Sequence, residues 1–253
     1  MKKSLLLLCT SLVSFVAANA LAEGDQKPPR KVDWSFDGVF GTVDKPSAQR
    51  GFQVYKEVCS ACHSLNRVAF RQLTEIGFSE AEVKALASSY QITDGPNDNG
   101  DMFQRPGKPS DTFVPPHANE QAARAAHNGA LPPDFSLLYK ARHDGGDYIY
   151  SLLTGYTTPP PDVKLADGQY YNPYIAGQRL AMPPPLSDGA VTYADGTPAT
   201  VDQMSRDVVN FMQWAAEPEM EARKEMGLKV MIFLAVFTAF MYLAKRNLWR
   251  KLH

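Results

Sequence analysis

The stretch Arg50-Gly51-Phe52-Gln53-Val54-Tyr55-Lys56-Glu57-Val58-Cys59-Ser60-Ala61-Cys62-His63 carries the pattern that decides the fold. Two cysteines separated by two residues and followed by a histidine form the C-x-x-C-H pattern of c-type haem attachment. On a short turn, the thiols of Cys59 and Cys62 can reach the two vinyl groups of one porphyrin and form thioethers. His63 then lies under the ring plane, where it can offer a ring nitrogen to the iron. The sequence therefore predicts one covalently bound haem c.

The residues in front of this motif are predicted to form the helix that leads into the haem turn. Helical periodicity runs from Ala48 to Val58, because apolar side chains recur every three positions and share one face. These side chains are Phe52, Tyr55 and Val58.

Other uses of a C-x-x-C pair require surroundings that this sequence does not provide. A thioredoxin-like redox pair needs a βαβ context, and no such pattern surrounds the motif. A structural zinc site needs a second Cys/His pair at finger spacing, whereas the next histidine, His117, lies far along the chain. A disulfide closed across two residues would be strained and unusual.

The sixth iron ligand decides between an electron carrier and a haem enzyme or gas sensor. Histidine or methionine in this position closes the iron, whereas an open position permits catalysis or gas binding. The candidates in the chain are Met102, Met182, Met204, Met212, Met220, His117, His127 and His143.

Met182 is the preferred candidate because it lies in a proline-rich loop, residues 172–186, that has no helical periodicity. The prolines that follow it stiffen the loop and restrict its backbone, so a thioether can be held in place at little entropic cost. Met102 belongs to a loop rich in Gly, Asp and Asn that is predicted to be solvated. The residues alone leave the histidines open as alternatives. Three methionines follow a helical pattern and are predicted to pack in the core: Met204, Met212 and Met220.

Residues 1–22 have the three parts of a secretory signal peptide. Met1-Lys2-Lys3 is basic, residues 5–18 are apolar, and Ala20-Leu21-Ala22 supplies the small residues for cleavage. The alternative is a short anchor that is not cleaved. Cleavage predicts a mature chain that begins near Glu23 outside the cytoplasm, which is where bacteria attach haem covalently. The remaining cysteine of the chain, Cys9, leaves with this peptide.

Residues 218–253 are predicted to form a membrane anchor helix with a basic cytoplasmic tail, with Pro218 as the first helical residue. Fifteen uncharged residues separate Lys229 from Lys245, and at about 1.5 Å each they span about 22 Å, less than the roughly 30 Å hydrocarbon core. Both lysines can snorkel, and residues 226–228 lengthen the apolar stretch. A buried core helix is the alternative, but the segment is apolar all round. The residues that mark a cytoplasmic end are Lys245, Arg246, Arg250 and Lys251.

Residues 23–227, between these two ends, are predicted to be a strongly acidic exported domain. The whole chain has 253 residues with 26 Lys+Arg and 27 Asp+Glu, a net charge of −1. The ends hold seven basic and no acidic residues, so the domain keeps 19 basic and 27 acidic side chains, a net charge of −8. This charge favours basic partners and argues against nucleic acid. A hydrophobic fraction of 44% excludes a mainly disordered chain.

The middle of the chain is predicted to consist of short helices and long loops, because 19 prolines lower its content of regular structure. Ser79 and Asn119 are the expected N-caps of two helices, and Asn128-Gly129 closes the second. Residues 192–197 are expected to form a small hairpin turn. The helices are expected over Glu80–Tyr90, Asn119–His127 and Asp147–Leu153.

Several stretches, taken in order, resemble the cytochrome c1 family, the haem subunits of quinol–cytochrome c reductase (cytochrome bc1) complexes. The C-x-x-C-H motif alone would be unspecific, whereas the ordered set is specific and covers nearly all of residues 35–250. The stretches are residues 50–55 before the motif, residues 119–134 including Asn128-Gly129-Ala130-Leu131-Pro132-Pro133-Asp134, Ala141-Arg142-His143, residues 147–156, and the loop around Met182.

The resemblance implies roles for five residues in binding haem. They are Cys59 and Cys62 as thioether sites, His63 and Met182 as axial ligands, and Arg142 as the partner of a haem propionate. A guanidinium can bind a carboxylate bidentately, although a plain surface arginine is the alternative reading. Phe135 stands where the family usually has leucine. No further cysteine pair is present, so packing and proline rather than a disulfide must fix the Met182 loop.

The resemblance also implies a mainly α, class I cytochrome c-like haem domain with long loop insertions over residues 23–217, plus one C-terminal transmembrane helix. The haem domain would face the periplasm at a bacterial inner membrane, with the C-terminus in the cytoplasm. The implied function is one-electron transfer from a Rieske iron–sulfur protein to a soluble c-type cytochrome, beside cytochrome b in a dimeric complex, without bond-making chemistry on this chain. A membrane-anchored haem enzyme or gas sensor with an open sixth position, and a purely structural haem subunit, are the alternatives.

Overall fold

The computed structural model describes residues 26–250, and this part of the protein is mainly helical, as predicted. The predicted signal peptide, residues 1–22, lies outside the described residues. The helices are α1 Lys45–Glu57, α2 Glu80–Ser88, α3 Glu120–Ala126, α4 Gly145–Leu153, α5 Val201–Ala216 and α6 Met220–Trp249. The strands form two antiparallel hairpins, β1 Gln91–Asp94 with β2 Phe103–Pro106 and β3 Tyr170–Tyr171 with β4 Arg179–Leu180.

The part of the chain before α6 is built on the contact between α1 and α5. Gly51 permits this contact, because a Cβ at this position would lie 2.0 Å from the backbone oxygen of Asp207. The carboxylate of Asp207 is fully buried, and it accepts hydrogen bonds from Ser47 Oγ at 2.7 Å and from the Arg50 guanidinium at 3.0 Å. An unpaired buried carboxylate would be costly, so this network fixes how the two helices are aligned.

Aromatic side chains fill the space between the two helices. The rings of Phe52 and Tyr55 on α1 each lie 5.6 Å from the ring of Phe211 on α5. The predicted core methionines Met204, Met212 and Met220 are buried, whereas Met102 is exposed, as predicted. The core therefore lies directly behind the end of α1 that carries the cysteine motif.

The predicted helix starts and stops are mostly confirmed. α1 begins before Ala48, because the side chain of Asp44 accepts from the backbone N–H of Ser47 and caps the helix. Ser79 caps α2 and Asn119 caps α3. Asn128 and Gly129 adopt positive φ values of 51° and 87° after α3, which is the expected way to end a helix.

Between α1 and α6, three local predictions differ from the structure. α2 ends at Ser88 rather than Tyr90, because the chain turns there into the unpredicted β1–β2 hairpin, whose polar strands lack apolar alternation. Residues 192–197 form a turn, in which Gly196 donates to the Tyr193 carbonyl at 3.2 Å, but no strands flank it. α4 begins at Gly145, two residues before the predicted start.

α6 is long and apolar enough to cross a membrane, and its apolar window is entirely exposed. A core helix of a soluble domain would be largely buried, so that alternative is wrong for this segment. The helix begins at Met220, whereas Pro218 was predicted as its first residue. Pro218 instead lies in the turn that separates α6 from α5.

Candidate functional site

A cavity of about 330 Å³ lies between the cysteine motif, α4, α5 and the Met182 loop. All five residues assigned to haem binding from the sequence lie in its wall. The rest of the wall is mainly apolar, with side chains such as Leu138, Leu152, Leu180 and Val208. The structure therefore brings together these five residues, of which Cys59 and Met182 are 123 positions apart in the chain.

The cysteine side of the cavity is a single helical turn that continues from α1. The backbone N–H groups of Cys62 and His63 both donate to the carbonyl of Cys59, at 3.1 and 2.9 Å. The two thiols are free and do not form a disulfide with each other. Burial, and then the neighbouring Cys62, raise the pKa of Cys59 to about 12, so its thiol is neutral near pH 7.

His63 is buried, and one face of its ring lies against Phe135 with the centroids 4.5 Å apart. Its Nδ1 lies 2.8 Å from the carbonyl oxygen of Pro133. Because a carbonyl can only accept, Nδ1 carries the proton and Nε2 keeps a free lone pair. Burial lowers the pKa of His63, although the bond to Pro133 opposes this shift. The ring is therefore neutral and oriented as a metal ligand requires.

Asp134 fixes the segment that orients His63. Its carboxylate accepts from Ser64 Oγ at 2.7 Å, from Asn66 N–H at 2.9 Å and from Ser136 N–H at 2.8 Å. These bonds tie the residues after His63 to the Pro133 segment, 70 positions further along the chain. The sequence reasoning missed this positioning residue, because nothing local in the sequence connects Asp134 with Ser64.

The methionine side of the cavity is a loop stabilised by hydrogen bonds from neighbouring segments. Tyr156 donates its hydroxyl to the carbonyl of Met182 at 3.1 Å. Asn172 is fully buried, donates to the carbonyl of Leu152 on α4 at 2.7 Å, and accepts from the N–H of Tyr174 at 3.0 Å. Packing and proline were expected to fix Met182, and these polar contacts are an addition that the sequence did not reveal.

The N-terminal strap, residues 26–32, crosses the outside of the methionine loop. The N–H of Lys27 donates to the Pro173 carbonyl at 2.8 Å. The guanidinium of Arg30 lies 5.2 Å from the centre of the Tyr174 ring. This strap attaches the loop to the rest of the domain, and Arg30 is a second positioning residue that sequence reasoning did not single out.

Arg142 lies at the edge of the cavity with an exposed side chain. Its Nη1 donates to the carbonyl of Ala141 at 3.2 Å, and its guanidinium also contacts the hydroxyl of Tyr148. Within residues 26–250 it forms no ion pair with a carboxylate, so its charge stays available to an acidic group in the cavity.

Of the histidines that the sequence left open as iron ligands, His127 lies in the cavity wall as Met182 does. Its Nε2 is 3.0 Å from Nε2 of His117. The side chain of His143 is 98% exposed beside Asp144. Across the described residues there is no cluster of three or more His, Cys, Asp and Glu side chains that could hold a metal ion.

The residues of the cavity fit haem c. The two thiols and the His63 ring share one wall, the Met182 loop forms another, and an unpaired guanidinium lies at the edge. An apolar cavity that is lined by a thiol pair, an imidazole and a thioether suits a porphyrin whose iron takes nitrogen and sulfur ligands.

Comparison with known proteins gives one consistent family. A model of the Cytochrome C1 family matches residues 34–252. Cytochrome c1 of Rhodospirillum rubrum is 47% identical over 260 residues, which cover 96% of this chain and 96% of that protein. The mitochondrial cytochrome c1 heme protein of Schizosaccharomyces pombe is 52% identical over 86% of this chain and 71% of its own length. The mitochondrial cytochrome b-c1 complex catalytic subunit of Candida albicans is 48% identical over 92% of this chain and 81% of its own length.

The names of these relatives agree with a haem cofactor in the cavity, since the Schizosaccharomyces pombe protein is called a heme protein. The cofactor that the thiol pair and His63 predict is thus haem c. The family match begins eight residues into the described part of the chain and extends through α6, so it includes the cavity and the apolar helix alike. The chain belongs to the cytochrome c1 family.

Proposed function

We propose that this chain is the membrane-anchored subunit that passes single electrons from a Rieske iron–sulfur protein to a soluble c-type cytochrome. The observation that carries the proposal is the meeting of Cys59, Cys62, His63 and Met182 around one apolar cavity. When bound there, haem c supplies a reversible one-electron couple. The chain itself performs no bond-making chemistry in this function.

The proposed haem-binding residues have distinct tasks. Cys59 and Cys62 hold the porphyrin covalently, and the bond to Pro133 keeps the Nε2 lone pair of His63 available for iron. Met182 would hold the iron as its second protein ligand, and a thioether there would favour the ferrous state. Arg142 pairs with a propionate, since its guanidinium has no carboxylate partner in residues 26–250.

The apolar walls support a carrier rather than an enzyme. A haem enzyme needs an open iron position and a polar pocket in which a catalytic side chain meets the substrate. Leu180, Ala181 and Pro183 surround Met182 on its side of the cavity. With Met182 on the iron, the sixth position would be closed to water and small ligands, which favours electron transfer over catalysis.

The proposed location and partners of the chain are based on its two ends, its relatives and its charge. Residues 23–217 would form the periplasmic haem domain, and residues 218–253 would anchor it in the bacterial inner membrane with the basic tail in the cytoplasm. The similarity to a cytochrome b-c1 complex subunit supports assembly in such a complex. We propose cytochrome b and a Rieske subunit as its partners there, in a dimeric assembly. The net charge of −8 on residues 23–227 favours a basic electron acceptor.

The experiment is a reduced-minus-oxidised absorption spectrum of the purified native protein, recorded with and without carbon monoxide. We expect a c-type spectrum that carbon monoxide does not change, because Met182 closes the sixth position. A clear spectral shift with carbon monoxide would show an open position and would favour a haem enzyme or gas sensor instead.

A further inference from the structure

A loop at the base of the haem domain, residues 35–42, is closed on itself and ends in an apolar tip. Thr42 N–H donates to the carbonyl of Ser35 at 2.9 Å and so joins the two ends of the loop. Phe36 at the base is buried, and its ring stacks on Trp34 with the centroids 5.4 Å apart. The base is therefore part of the core, and the tip is a separate, protruding turn.

The tip consists of Val39 and Phe40, whose side chains are 65% and 81% exposed. Phe40 is the most exposed large apolar side chain within residues 26–250, more exposed than those along the candidate membrane helix. Gly38, with a φ of 71°, has no atom within 4 Å of a Cβ built on it, which shows how open the turn is. An exposed aromatic next to an exposed β-branched residue indicates a contact surface.

The loop is attached directly to the first turns of α6. Lys224 Nζ donates to the carbonyl of Phe36 at 2.7 Å and to the carbonyl of Gly41 at 2.9 Å. One residue after the loop, Val43 N–H donates to Glu221 Oε1 at 2.8 Å. These three bonds join both ends of the loop to two side chains one turn apart on the same helix.

The position along α6 places this attachment at the level of the lipid headgroups. The stretch from Met226 to Ala244, in which the snorkelling Lys229 is the single charged residue, is about 28 Å long at 1.5 Å per residue, close to the roughly 30 Å hydrocarbon core. Each headgroup layer adds about 5–7 Å beyond that core. Lys224 lies only about 3 Å before Met226 along the helix axis, so it falls inside the headgroup layer.

We propose that Val39 and Phe40 insert into the interfacial layer of the lipid bilayer and form a second attachment of the haem domain to the membrane. This inference rests on the proposed function in so far as α6 must cross a membrane. Aromatic side chains are favoured at this depth, and a short apolar loop gains from burial there. With α6 as the first attachment, the tip would fix the tilt of the haem domain above the bilayer.

The test places a nitroxide spin label on Phe40→Cys in the full chain, reconstituted alone in vesicles of phosphatidylcholine and phosphatidylglycerol. Oxygen, which dissolves in lipid, and a water-soluble nickel chelate then report the surroundings of the label. We expect the ratio of oxygen to nickel accessibility to exceed that of an aqueous reference by about threefold or more, because an interfacial side chain lies about 5–10 Å into the headgroup boundary.

Two further labelled positions make the result decisive. Ala194→Cys, in an exposed turn of the haem domain, is the aqueous reference, and Phe233→Cys on α6 is the lipid reference. A lipid-like Phe233 with a water-like Phe40 would overturn the inference and leave the membrane anchor intact. A water-like Phe233 would instead show that the anchor itself is wrong.

The same samples also test two other outcomes, a failure of haem attachment and a contact of Phe40 with another protein instead of lipid. The unmodified chain should not take up label, because its mature cysteines, Cys59 and Cys62, are both bound to haem in the proposed function. Labelling of that chain would contradict covalent attachment but not the lipid contact. A Phe40 label that is water-like in the isolated chain and becomes immobile only in the assembled complex would overturn the lipid assignment in favour of a partner subunit.

Discussion

The two sides of the haem cavity are built in opposite ways. The cysteine side is a direct continuation of α1, which packs on α5 through a buried carboxylate network and three aromatic rings. The methionine side is a loop that contains a hairpin with strands of only two residues each. It is supported by single hydrogen bonds, such as those from Tyr156 to Met182 and from Asn172 to Leu152. One side therefore depends on the core of the domain, and the other on a few local contacts.

This difference suggests how stability is distributed around the site. Local opening costs least where few apolar contacts and few backbone hydrogen bonds hold a segment. We therefore expect variants on the cysteine side to affect the whole domain, and variants on the methionine side to change iron ligation before they change folding.

The largest effect is expected for the double variant Cys59→Ala with Cys62→Ala. Without the thiols no thioether can form, so covalently attached haem should be lost completely. Haem staining of a denaturing gel measures this directly, with the unmodified chain as the positive control. Haem that still migrates with the double variant would disprove the assignment of both cysteines.

Met182→Leu is the corresponding variant on the other side. Leucine has a similar volume but no sulfur, so the haem should remain attached while the iron loses a ligand that favours the ferrous state. We expect the midpoint potential to fall by on the order of 100 mV and carbon monoxide to bind. Met102→Leu, at an exposed loop position, is the matched control and should change neither quantity. An unchanged potential in Met182→Leu would exclude Met182 as the ligand.

Gly51→Ala tests the dependence of the cysteine side on the core. The added Cβ would come within 2.0 Å of the Asp207 carbonyl oxygen and 2.8 Å of Phe211 Cβ, so α1 and α5 must separate. We expect a loss of about 3 kcal/mol in the free energy of unfolding, measured by thermal or denaturant unfolding. Gly227→Ala on α6, which meets no atom within 4 Å, is the control and should leave that free energy nearly unchanged.

The contrast between the two sides also shows what the sequence could predict. The cysteine motif, its helix and the α2 and α3 caps depend on neighbours within a few positions, so they were predictable. Met182 could be selected as the preferred sixth iron ligand because the prolines around it exclude a helix. The hydrogen bonds from Ser64 to Asp134 and from Tyr156 to Met182 join residues 70 and 26 positions apart, and no local sequence pattern reveals such pairs.

The exposed tip at Val39 and Phe40 was missed for a related reason. In the sequence, two apolar residues between glycines look like any short core segment, and only the folded chain shows which side chains are left uncovered. Their link to α6 runs through Lys224, more than 180 positions from Phe36 and Gly41. The exposure of a side chain depends on the whole fold, whereas a motif can be identified from the sequence alone.

Asn172→Ala should weaken the methionine side more than any other single polar change there. It would remove the side-chain donor to the Leu152 carbonyl, which would then accept only from backbone N–H groups such as that of Gly155 at 3.4 Å, and it would leave the N–H of Tyr174 without its Asn172 acceptor. We expect a cost of about 2 kcal/mol, within the usual range for losing the hydrogen bonds of a buried polar side chain. Carbon monoxide binding should increase at temperatures at which the domain is still folded. The exposed Asn97→Ala is the control, and equal effects of the two variants would contradict a special role of Asn172.

Tyr156→Phe is the smallest and most specific change, because it removes only the hydroxyl that donates to the Met182 carbonyl at 3.1 Å. One hydrogen bond of this kind contributes about 1 kcal/mol, so the free energy of unfolding should fall only slightly. The effect should be concentrated in ligation, since the loop that carries Met182 opens about fivefold more often for each lost kcal/mol. We therefore expect faster carbon monoxide binding with an almost unchanged melting temperature. Tyr170→Phe, whose hydroxyl has no hydrogen bond within residues 26–250, is the control. If both variants bound carbon monoxide at the same rate, the methionine side would not be held by this bond, and proline stiffness alone would have to account for its position.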